Sequence, residues 1–193
     1  MSVPARVGLV ALILLGVTAG AVEGKRKPAW TWRSLHRPLH LPTVAEGAPC
    51  PLSPGRSVRL GKGDVMSLAG PGPAYPVLAG GNVLNFFWPP QGEARGSGWS
   101  GNKAMWIVAE RYRGPVLVRA RQLDGPHLVR FGVYEPLATE FKVSTRLTSV
   151  GSRVRREPST TRVEAEGCYA YQIDGTTFSR VIVFEARIAP LPS

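Results

Sequence analysis

From residue 50 onward the chain is a series of short runs in which apolar and polar positions alternate. In Val116–Leu123, Val116, Val118, Ala120 and Gln122 fall on one face of an extended strand, and Leu117, Arg119, Arg121 and Leu123 on the other. In Phe178–Ala186, Phe178, Arg180, Ile182, Phe184 and Ala186 share a face, opposite Val181, Val183 and Glu185. A period of two means a strand with one face toward a core. The same reading places strands at Ser57–Leu60, Asp64–Ala69, Val83–Trp88, Lys103–Ala109, Pro115–Leu123, His127–Tyr134, Glu140–Thr145, Thr161–Glu164, Gly167–Ile173 and Thr177–Ala186. Phe86 and Trp88 are two residues apart and so point the same way, into the core. Trp106, within AMWIVA, is also expected there. No segment holds a helical period.

The turns between these runs are punctuated by Gly, Pro and Asp-Gly. Asp124-Gly125 separates two predicted strands, and Asp174-Gly175 separates two more. Asp-Gly readily takes the positive φ of tight hairpins, so both pairs are expected to close one. Many short strands at this spacing predict an all-β domain over residues 50–193, a two-sheet antiparallel sandwich with immunoglobulin-like topology as one form of it. A small closed β-barrel is the alternative.

The first 49 residues read differently. Arg6 precedes an apolar run from Val7 to about Val22, and Ala19-Gly20-Ala21 offers a small-residue cut. This is the pattern of a secretory signal peptide over residues 1–21. The run is shorter than the roughly 20 residues of a stable transmembrane span. Lys25, Arg26 and Lys27 follow it closely, and positive charge there opposes export. An uncleaved N-terminal anchor is therefore the alternative. Residues 22–49 carry Pro28, Pro38, Pro42 and Pro49 with five Lys or Arg, and their composition predicts a basic, extended linker. Cys50 and Cys168 are the two cysteines of the chain. In an exported protein an even count predicts a disulfide, here with one possible pairing.

The segments GPVLVRARQLDG, VRFG and GCYAYQIDGTTFSRVIVFEA resemble a group of exported bacterial proteins of unassigned function, over roughly Trp106 to Ala186. The resemblance implies a small β domain outside the cytoplasm and no particular activity. Trp106 and the GCYAY strand are also faintly similar to immunoglobulin-like domains. Tyr169 and Tyr171 depart from that pattern by following Cys168, where the tyrosine corner precedes its cysteine.

The chemical inventory is thin. His36 and His40 are four apart, but Pro38 between them opposes the helix that would make them a metal pair. Gly98-Trp99-Ser100-Gly101-Asn102 misses the nucleophile elbow at its last position. Glu164 and Glu166 share a strand face near Cys168, where they are expected to balance arginines. No catalytic residue, cofactor site or metal site is assigned. A secreted hydrolase with an unrecognised site stays as the alternative to a non-catalytic module.

Charge supplies the functional expectation. The net charge is +11, and from Cys50 onward 18 Lys and Arg stand against 11 acids, a balance of +7. Arg153, Arg155 and Arg156 cluster in SRVRRE, and Arg119 and Arg121 share a strand face. These five are the candidate anion-binding residues, because a basic surface attracts phosphates, anionic headgroups and acidic polymers. Trp99, in the Gly/Ser-rich GSGWSG, is the candidate ligand-facing aromatic. The expected partners are anionic envelope polymers, lipid headgroups or another envelope protein. Nucleic acid does not suit an exported chain. The expectation is thus a secreted or periplasmic, envelope-associated binding or structural β domain.

Overall fold

The computed structural model describes residues 30–45, 47–60, 65–78, 82–145 and 154–189. The expected signal peptide lies outside the described residues, as do Lys25–Lys27 and Arg153. The described chain is all-β apart from two short 3-10 turns, at Arg33–Leu35 and Gly92–Ala94. Its strands are β1 (Gly55–Arg59), β2 (Val65–Ala69), β3 (Ala74–Val77), β4 (Val83–Phe86), β5 (Ser100–Val108), β6 (Val116–Gln122), β7 (Arg130–Phe131), β8 (Phe141–Val143), β9 (Arg155–Val163), β10 (Gly167–Gly175) and β11 (Ser179–Ile188).

They form a sandwich. One sheet has the order β4-β11-β10-β6-β8, the other β3-β5-β9-β7, and β1 and β2 make a separate ribbon. The principal core lies between the two larger sheets. It takes Val116 and Val118 from β6, Tyr169, Tyr171 and Ile173 from β10, and Ile182, Phe184 and Ala186 from β11. The facing sheet contributes Trp106 and Val108 from β5, Phe131 from β7 and Val163 from β9. These are the faces that alternation marks as apolar in β6 and β11. Tyr171 stacks on Phe184, 4.3 Å between ring centroids, and meets Trp106 edge-on at 5.1 Å. Its hydroxyl pairs with the Thr161 hydroxyl at 2.8 Å, so this buried polar group keeps a partner.

Several expectations are corrected. The sandwich is not wholly antiparallel, because β4 pairs β11 in parallel, Phe86 opposite Ile188. Asp124-Gly125 closes no tight two-residue hairpin. It lies in a wider turn, held by the antiparallel Arg121–Leu128 bridge and by the Gln122 amide on the His127 carbonyl at 3.4 Å, after which the chain crosses to the other sheet, where β7 pairs β9. The predicted strand His127–Tyr134 shrinks to Arg130–Phe131 as a result. Asp174-Gly175 does sit at the end of the β10–β11 hairpin, but both residues belong to β10, Asp174 opposite Ser179 of β11 and Gly175 opposite Val116 of β6. Gly175 is required there by close approach: a Cβ would lie 2.3 Å from the Phe178 ring and 2.6 Å from the Tyr112 hydroxyl. β3 was hidden in the sequence by Pro73 and Pro76. It is an edge strand, the place in a sheet where proline is tolerated. β4 ends at Phe86, so Trp88 does not share its burial and is 43% exposed.

The residues that composition assigns to a linker lie instead against the outer face of the five-stranded sheet, from Trp30 onward. Leu35 is fully buried, and Val44 packs with Cys168, Ala170 and Val183. Cys50 and Cys168 are disulfide-bonded across 118 residues of sequence, with Cα atoms 5.3 Å apart. In the chain-entropy account a closed loop of this length stabilises the fold by up to about 5 kcal/mol. We call residues 30–50 the strap.

Candidate anion-binding surface

The strap decides which arginines are available. β10 is buried along nearly its whole length, on both faces. Its inner side chains are the core tyrosines, and its outer ones are Cys168, Ala170, Gln172 and Asp174. Two of those are small, and two carry polar groups that the strap satisfies. The His40 amide donates to Gln172 Oε1 at 2.7 Å, and Gln172 Nε2 donates to the Pro38 carbonyl at 2.9 Å. Asp174 is 0% exposed. It accepts from Arg119 Nη2 at 2.8 Å and Gln172 Nε2 at 3.1 Å, with Arg37 Nη1 at 3.4 Å. Arg37 also donates to the Phe178 carbonyl at 2.7 Å, and Arg119 Nη2 donates to the Arg37 carbonyl at 2.5 Å. A buried carboxylate is tolerated only with such partners.

Arg119 is therefore committed to the fold and is not a free anion-binding residue. Arg155 is corrected in the same way. It is 2% exposed, and its guanidinium donates to the carbonyls of Ser144 and Gly114, with the Tyr112 carbonyl at 3.4 Å. Burial lowers its pKa from the usual value. Arg156 is half-buried. Arg121 is exposed and borders a groove of about 300 Å³ lined with Leu39, Leu41, Pro42, Thr43 and Leu123, where it is the one charged residue among the described lining.

Trp99 is half-buried, and Arg130 lies over its ring, 5.5 Å from the centroid. It stands at the start of β5, whereas Arg155 pairs with Val108 at the end of that strand. Nine residues of strand separate the two positions by roughly 27 Å. Trp99 thus shares no cleft with Arg155 or Arg156. Glu164 faces His127 at 3.6 Å, whereas Glu166 accepts the Ile188 amide at 2.6 Å and, after the nearer Glu185, helps to raise the pKa of Arg187, so Glu166 does balance an arginine. His36 pairs with Glu140 at 2.9 Å.

The exposed cations gather elsewhere. At the end of the sandwich where β5 finishes and β6 and β11 begin, Arg59, Arg111, Arg113, Arg180 and Lys142 are exposed, with Arg33 of the strap beside them. Local contacts tie these positions together. The Glu110 amide donates to the Leu60 carbonyl, and Tyr112 and Thr176 join through their hydroxyls at 3.2 Å. Lys142 lies 5.7 Å from the centroid of the Trp32 ring. Arg111 reaches the Tyr75 hydroxyl at 3.1 Å, Arg113 pairs loosely with Glu110 at 3.7 Å, and Lys142 pairs with Glu140. At the opposite end, Arg95, Arg121 and Arg187 are interspersed with Glu135, Glu164, Glu166 and Glu185. The sequence places Arg111 and Arg113 in one basic region but does not show the rest of the basic end, because its members are scattered from residue 33 to residue 180. Only the topology brings them together.

Fold and surface define an all-β sandwich with a disulfide-pinned strap and one basic end. No family model, curated protein or solved structure matches this chain. The disulfide fits an extracytoplasmic setting. Among the described residues no helix is long and apolar enough to cross a membrane.

Proposed function

We propose that this protein is an exported, non-catalytic β module of the cell envelope that holds onto anionic material through its basic end. The observation that carries the reading is the gathering of Arg59, Arg111, Arg113 and Arg180 at one end of the sandwich, while the other end is of mixed charge. A net positive field, in which cations outnumber Glu110 and Glu140, attracts a polyanion without a shaped pocket. The disulfide and the signal-like N-terminus support the location.

The test is retention of the chain from Val22 on an immobilised heparin column, used as a generic polyanion. Exposed charges are screened over about 8 Å at physiological salt, so the protein should bind at low salt and elute as salt rises. Passage through the column at low salt would remove the basis for this function.

A further inference from the structure

We infer that the anionic partner is a bilayer surface, and that the protein meets it end-on, with the strap entrance, Trp30 and Trp32 facing the headgroups. The inference rests on the proposed anionic partner and names it. Three observations lead to lipid. First, the basic residues occupy a tip and not a groove. Cations gathered on an end face are presented together to a plane. The groove beside the strap has Arg121 as the one charged residue among its described lining and lies away from this tip.

Second, the tip carries the aromatic residues that suit an interface. Trp30 and Trp32 are half-exposed, 5.3 Å apart and edge-on, and Lys142 lies over Trp32. Tryptophan, with an apolar body and a polar N–H, settles at headgroup depth. Third, Trp30 and Trp32 follow a basic triplet, Lys25, Arg26 and Lys27, in the sequence. Each exposed arginine of the tip adds to attraction toward anionic lipid.

The experiment is sedimentation of the chain from Val22, which keeps every contact described above, with vesicles of equal parts phosphatidylglycerol and phosphatidylcholine. The tip variant is R59S/R113S/R180S, and the charge-matched control at the opposite end is R95S/R121S/R187S. The tip variant should lose about two orders of magnitude in partition coefficient, and R59K/R113K/R180K should restore it, which separates charge loss from misfolding. The opposite-end variant should stay within about threefold, since its charges lie beyond the screening length from the bilayer. Tryptophan emission should shift to the blue on vesicles, and W30F/W32F should abolish the shift.

Equal losses in both triple variants would overturn the end-on orientation while leaving an anionic partner in place. Heparin retention without vesicle binding would overturn the lipid assignment and leave the proposed function standing. Failure on both matrices would overturn both.

Discussion

On the outer face of the five-stranded sheet, Gln172, Asp174 and Arg119 meet the backbone and Arg37 of the strap. On the outer face of the four-stranded sheet, Tyr75, Ile107 and Val154 meet Val58, Leu60 and Leu68 of the β1–β2 ribbon. Both faces are covered by chain that precedes them in sequence, yet the first cover adds hydrogen bonds and ion pairs to a small apolar cluster, and the second is apolar. The difference teaches what each cover is for. Apolar contact is non-directional and scales with area. Hydrogen bonds and ion pairs demand particular atoms at particular places, so they fix the strap in one position across the sheet. A fixed strap holds its own entrance, with Trp30, Trp32 and Arg33, at the basic tip.

The comparison breaks most severely at Asp174. Asp174→Ala leaves Arg119, 16% exposed at its side chain, without its carboxylate and removes a partner of Arg37. Breaking a buried pair from one side costs about 3–5 kcal/mol. The urea midpoint should fall accordingly, and a loss below about 1 kcal/mol would show that the polar closure is not structural. The apolar cover should break more gently. Leu60→Ala deletes a fully buried side chain from the ribbon contact, worth about 2–4 kcal/mol. Because that cover is independent of the strap, Leu60→Ala should leave the exchange protection of the His40 amide in place, and Asp174→Ala should not. Equal loss of His40 protection in both variants would merge the two covers into one.

Much of the sandwich was legible in the sequence. Alternation gives the inner faces of β6 and β11 correctly, and an even cysteine count gives the disulfide. The strap was not legible, because it docks through the His40 amide, the Pro38 carbonyl and one arginine, and a proline-rich stretch with no apolar period looks like solvated chain. Buried arginines were equally opaque. Arg155 and Arg156 are neighbours in sequence and alike in composition, yet one opens β9 with its guanidinium on carbonyl oxygens and the other is half-exposed. A clue lay in GCYAYQIDG, where Gln172 and Asp174 stand on the face opposite the tyrosines. Polar residues that face away from the core on a central strand ask what covers them. Asp124-Gly125 failed as a tight-hairpin signal because Asp124 is drawn to a different donor, the Cys168 amide at 2.8 Å.

The strap's place as a layer of the fold is most directly tested by amide hydrogen exchange on the oxidised chain from Val22. The account predicts slow exchange at His40, whose amide is held by Gln172 at 2.7 Å. Exchange of residues 30–49 at the rate of a free peptide, with the sandwich itself protected, would contradict it.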